Sequence, residues 1–82
     1  MTPEAAPDRT LDVRSYFDPV ECRSLKYVKR ELAGLGPLQR LEVLGNDFQS
    51  REIRAWSSKF RHRVVDEQRD GNLVRLIIEK AA

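Results

Sequence analysis

The sequence has little of what most enzymes use. Its 82 residues include one cysteine, one histidine, one methionine and one tryptophan. A single cysteine cannot close an internal disulfide, so the thiol is expected to stay reduced, as in a cytoplasmic protein. His62 stands alone with one distant cysteine, which gives no metal-ligand spacing. No Ser-His-Asp order, paired-acid motif or glycine-rich phosphate loop is present, and no cofactor or metal is expected. No apolar run approaches the ~20 residues a membrane span needs, so no membrane association is expected. The opening "MTPEAAPDRT" lacks a basic region followed by an apolar stretch, and no secretory signal is expected from it. A chain this short buries only about 60–65% of its unfolded surface. It can build one modest core but not a deep enclosed pocket.

Charge, by contrast, is plentiful. Fifteen basic residues are interleaved with thirteen acidic ones, for a formal net charge of +2. Nucleic-acid binders concentrate Lys and Arg on one face. Interleaving points instead to a solvated surface, so direct nucleic-acid contact is not expected. Two groups of cations nevertheless recur. Arg23, Lys26, Lys29 and Arg30 fall on the first helix proposed below, and Arg51, Arg54, Lys59, Arg61 and Arg63 on or after the second. Cations sharing a face would steer an acidic protein partner. Oligomeric state is left open by the sequence.

Residues 1–9 hold two prolines and no periodicity, and read as a flexible N-terminal tail; residues 10–82 form one domain. In "TLDVRSYF", Leu11, Val13, Ser15 and Phe17 alternate with polar neighbours, which predicts a first strand over Thr10–Phe17. Asp18, Pro19 and Glu21 then have the spacing of a helix start with a capping box. Leu25, Val28 and Leu32 make the apolar stripe of that helix. "AGLGP" ends it, with Gly34 and Gly36 offering left-handed dihedrals. Leu38–Leu44 reads as a second strand, with Leu41 and Val43 on one face. Asn46 or Asp47 caps a second helix that buries Ile53, Trp56 and Phe60. His62 is expected in solvent at its end. Arg63–Gln68 is a third strand, "RDGN" a hairpin turn, and Leu73–Glu79 a fourth strand. The order β-α-β-α-β-β predicts an α/β fold: a two-layer α/β sandwich, with a four-stranded mixed sheet and two helices on one face. The two strand-helix-strand units are expected to be parallel crossovers.

Several stretches resemble the TusA/SirA family of small sulfur-carrier proteins. "TLDVRSYFDP" is similar to the family's opening, a strand beginning Leu-Asp followed by a Cys-Pro-x-Pro motif at the start of the first helix. "LAGLGPLQRLEVL" resembles its helix exit and second strand, "NDFQSREIRAWS" its Asp-Asp-Pro turn and second helix, and "DGNLVRLIIEK" its terminal hairpin. The resemblance covers nearly the whole chain after the tail and implies the same β-α-β-α-β-β sandwich. It implies a persulfide carried on the motif cysteine and passed between a protein sulfur donor and a protein acceptor, as in tRNA thiolation and sulfur oxidation. Some members of the family are linked to regulation instead.

The motif itself departs from the pattern. Counting from Leu11-Asp12, the family cysteine falls on Asp18 and its proline on Pro19, while the second motif proline falls on Glu21. A carboxylate there cannot carry sulfur, and the domain would be a catalytically silent interaction or regulatory module. Counting back from "LAGLGP", about three extra residues bring the position to Glu21–Cys22, and Cys22 becomes the candidate catalytic persulfide carrier of a sulfurtransferase-like protein. A carrier thiolate needs a lowered pKa. A helix N-terminus supplies this, and Arg23 and Lys26 would stabilise the thiolate, with Glu21 opposing. The bland alternatives are a packed Cys22 flanking Leu25 and an Asp18 that only caps the helix.

Overall fold

The computed structural model describes residues 7–16 and 23–81. Four strands and two helices form the expected two-layer sandwich: β1 (Arg9–Asp12), α1 (Arg23–Ala33), β2 (Arg40–Gly45), α2 (Asp47–Lys59), β3 (Arg63–Asp70) and β4 (Leu73–Glu79). The sheet is mixed, in the order β1-β2-β4-β3. β1 and β2 are parallel, and β4 is antiparallel to both β2 and β3.

Only the first helical connection joins neighbouring strands. β2 and β3 run in the same direction, but β4 lies between them. Composition explains this. "LVRLIIE" is apolar at both parities, and Val74, Leu76, Ile77 and Ile78 are all at most 1% exposed. Such a strand belongs where both faces are covered. "RVVDEQRD" carries charges along its length and a bulge between Val64 and Asp66, two devices that protect a free edge.

The register aligns Leu11, Val43 and Leu76 across three strands, and Leu41 with Ile78 and Val64. These residues face the helices. With Val28 and Leu32 of α1 and Ile53 of α2 they form one core. The opposite face carries Thr10, Glu42 and Asp66 around Ile77. Arg75 bonds directly to Glu42 and lies 3.7 Å from Asp66, while Arg40 meets Glu79 at 3.1 Å. These long side chains roof the fully buried Ile77 with their aliphatic stems.

β1 ends earlier than its alternation predicts, and Arg14–Tyr16 form a 3-10 turn. The cause is local. The Asp12 carboxylate accepts the Arg14 backbone N–H at 3.0 Å and its guanidinium at 3.0 and 2.7 Å. This turn competes with strand geometry, and those bonds hold the Asp12 carboxyl down at about 2. At the other end, Asp8 is already tied to Arg40 by two bonds of 2.8 Å.

Helix ends also depart from expectation. Neither Gly34 nor Gly36 adopts positive φ; Leu38 does, at 65°. The carbonyl end of α1 is instead capped by Lys80, whose Nζ donates to Leu35 at 2.5 Å and Ala33 at 3.4 Å. α2 starts at Asn46, which accepts the Gln49 N–H at 2.8 Å while Gln49 Oε1 accepts the Asn46 N–H at 2.9 Å. α2 ends in a Schellman turn without glycine. Arg61 takes φ 64°, Arg61 N–H bonds Ser58 and His62 N–H bonds Ser57. Phe60, placed in the core by sequence spacing, becomes the cap residue and is 54% exposed. The hairpin turn between β3 and β4 is as predicted, with Gly71 at φ 61°.

Gln49 joins the two crossovers. Its Nε2 donates to the Val13 carbonyl at 2.6 Å, and its side chain is 1% exposed. Gln49→Ala strips partners from the Val13 carbonyl and the Asn46 N–H together. It should lower unfolding free energy by about 2–4 kcal/mol in urea titrations, against about 1 kcal/mol for Asn46→Ala. Arg61→Gly relieves a left-handed non-glycine residue and should raise stability by about 1 kcal/mol in the same assay.

Candidate functional site

The residues singled out for sulfur chemistry lie between positions 18 and 26 of the sequence. Asp18, Pro19 and Cys22 lie outside the described residues. Arg23 is the first residue of α1; its side chain also lies outside the description. The first turn of the described helix holds no carboxylate. Lys26 follows one turn later and is exposed. α1 packs against the Arg14–Tyr16 turn and against α2.

The outer surface of the helix layer is cationic and aromatic. Lys29 Nζ stands 5.8 Å from the centroid of the Trp56 ring, within the range of a cation–π contact. Trp56 lies 5.5 Å from Phe60 and 5.1 Å from His62, ring centre to ring centre. Trp56 packs against the core, as its spacing predicts, but also carries this surface cluster. Helical spacing puts Lys59 on the same flank of α2 as Trp56.

Electrostatic pairing sorts the charges. Arg9 pairs with Glu31, Arg14 with Asp12, Arg40 with Glu79, and Arg75 with Glu42 and Asp66. Arg51 and Arg54 pair with Asp47 and Glu67, and Arg69 with both of those carboxylates. The guanidinium of Arg69 is the main cause holding the Asp47 carboxyl below its usual range, and Arg75 does the same for Glu42. Among the described residues, Lys26, Lys29, Arg30, Lys59, Arg61 and Arg63 form no ion pair. The modest net charge therefore hides a segregation: the sheet's outer face is neutralised in pairs, and the uncompensated cations lie on the helices and just after α2. Sequence interleaving cannot show which neighbours pair across strands.

His62 is not in free solvent. It is half-buried, its ring lies against Trp56, and its Nδ1 accepts the Ala81 N–H at 3.0 Å. Burial, followed by the nearby Lys80 charge, pulls its pKa below the ordinary value of 6.5. Among the described residues, no group of three His, Cys, Asp or Glu side chains could hold a metal ion. No described helix is long and apolar enough to cross a membrane. The chain matches no protein-family model and no curated protein.

The His62 arrangement has a pH consequence. A histidine with a depressed folded pKa contributes stability above its unfolded pKa and loses it as pH falls through the folded one. Protonation also removes the acceptor of the Ala81 N–H. Thermal unfolding midpoints should therefore hold between pH 8 and 7 and fall below about pH 6.5, well above the carboxylate range. His62→Gln should flatten that segment; an unchanged slope would show that another group carries it.

Proposed function

We propose that this chain is a cytoplasmic TusA-like sulfur relay protein that carries persulfide sulfur on Cys22 and passes it to a protein partner. The observation that carries this reading is the row of cations on α1: Lys26, Lys29 and Arg30 follow Cys22 closely in the sequence and form no ion pair among the described residues. A helix N-terminus adds roughly half a positive charge. With Arg23 and Lys26 this potential favours a thiolate at Cys22. The β-α-β-α-β-β topology, with a mixed sheet under two helices, is the one the sequence resemblance implies.

The chemistry is an exchange. The Cys22 thiolate attacks the terminal sulfur of a donor persulfide, forming a new S–S bond and breaking the donor's. The donor leaves as a thiolate, the proton stays with the transferred sulfur, and no electrons enter or leave. The acceptor takes the sulfur by the reverse sense of the same step. A domain of this size supplies the carrier, and docking brings the remaining groups. Lys26, Lys29 and Arg30 beside Trp56 and the exposed Phe60 form a surface suited to an acidic partner with an apolar anchor.

A second reading uses the same surface without the thiol. Asp18 and Pro19 take the motif positions, and the domain binds partners as a silent or regulatory module. The exposed Phe60 favours it, because that patch needs no reactive cysteine.

Iodoacetamide labelling across pH and mass spectrometry after exposure to a persulfidated cysteine desulfurase separate the two. The relay predicts a Cys22 labelling midpoint below the ~8.5 of free cysteine and an adduct of about 32 Da, one sulfur, absent from Cys22→Ser. A midpoint at or above the free value with no adduct sinks the relay. Desulfurase binding that survives Cys22→Ser but is lost in Phe60→Ala would then identify the silent module.

A further inference from the structure

The other flank of α2 carries a separate feature. Between α2 and β3 runs an open groove of about 530 Å³. Its walls are Arg51, Arg54 and Ser58 from α2 and His62 and Arg63 beyond it, over a floor of Ala55 and Val64. Among the described residues no carboxylate lines it. Arg51, Arg54 and Ser58 recur at helical spacing, so their row extends about 10 Å along the helix axis, and Arg63 prolongs it.

We propose that this groove binds an extended acidic segment of a partner protein, whose carboxylates are read by Arg51, Arg54 and Arg63. The charge balance around it supports this. Asp47 and Glu67 are shared among three arginines: Arg51 to Asp47 at 2.9 Å, Arg54 to Glu67 at 2.9 Å, and Arg69 to both at 2.6 and 3.0 Å. Arg63 has no carboxylate partner among the described residues. Arg51 and Arg54 thus share their carboxylates with a third arginine, and Arg63 adds an unpaired positive charge to the groove wall. The existing pairs also fix the heads of Arg51 and Arg54 at the groove wall. Both keep donors for a further anion, since each guanidinium has five N–H groups. Nδ1 of His62 is occupied by Ala81, which leaves its Nε2–H as a donor.

The shape selects the class of ligand. The groove is open along its length, whereas small-molecule pockets bury most of their ligand, roughly 70–90% of its surface. A nucleic-acid strand is held by bases stacked on a series of aromatic faces; among the described lining residues His62 is the one aromatic ring, and it already packs against Trp56. An acidic peptide needs only a row of cations and a shallow apolar floor. This surface lies on a different flank of α2 from the Lys29–Trp56 contact and meets that patch at His62, whose ring lies against Trp56.

The test is an NMR titration of the 15N-labelled protein with hexaglutamate, with hexauridylate in parallel. Shifts should map to Arg51, Arg54, Ala55, Ser58, Arg63 and Val64. The double variant Arg51→Gln/Arg63→Gln, both sites exposed, should bind hexaglutamate about tenfold more weakly, while Lys26→Gln binds as the parent does. Three results would each overturn the proposal: no shifts, shifts confined to α1 and Trp56, or affinity indifferent to the double variant. Tighter binding of hexauridylate at these same residues would assign the groove to nucleic acid and overturn it equally.

Discussion

The arrangement depends on a strand that is apolar on both faces. In most two-layer sandwiches one sheet face meets helices and the other meets water, which asks for alternation. Leu73–Glu79 does not alternate: Leu76, Ile77 and Ile78 follow one another, all essentially inaccessible. Such a strand is tolerable only in the interior of the sheet, and only if something shields the outward Ile77. The first condition puts β4 between β2 and β3 and makes the second helical connection pass over it. The second is met by the outward residues beside Ile77: Glu42 and Asp66 flank it across the strands, and Arg75 pairs with both. Exposed ion pairs contribute little individually, about 0–1 kcal/mol. Their role in this position is cover, with the charges keeping the cover soluble.

This constraint explains which parts of the structure are legible in the sequence. β4 and its turn are marked by a long apolar run and an Asp-Gly pair, signals that owe nothing to distant residues. The Asn46 cap is likewise local. What the sequence hides is decided across the fold. Phe60 has the right spacing for the core stripe, yet the chain leaves the helix at that residue because Arg61 accepts left-handed dihedrals, a choice usually signalled by glycine. α1 is closed by Lys80, 45 positions beyond Leu35, and not by the glycines beside it. The early end of β1 comes from one carboxylate turning back on Arg14, which alternation cannot register. The sulfur-site reading rests on Asp18, Pro19 and Cys22, outside the described residues, so it stands on sequence resemblance and on the unpaired cations of α1.

The same reasoning bears on the charges. A count of fifteen against thirteen suggests a nearly neutral, featureless surface. Pairing makes it otherwise. Most of the strand carboxylates meet an arginine, whereas Lys26, Lys29 and Lys59 on the helices form no ion pair among the described residues. The helix layer is therefore the side on which an acidic macromolecule would be drawn in, whatever chemistry follows.

α2 is central to that layer because its three sides do different work. One buries Gln49, Ser50, Ile53 and Ser57 against the sheet. One carries Trp56, whose ring meets Lys29 of α1 in an aromatic and cationic patch. The third presents Arg51, Arg54 and Ser58 to the groove along β3. Two surfaces on different flanks of one helix, meeting at His62, would allow a small protein to hold one partner while meeting another. A relay requires that of its carrier, and so does an adaptor. The flanks thus fit either reading of Cys22, and it is the chemistry of the thiol, not the shape of the domain, that distinguishes them.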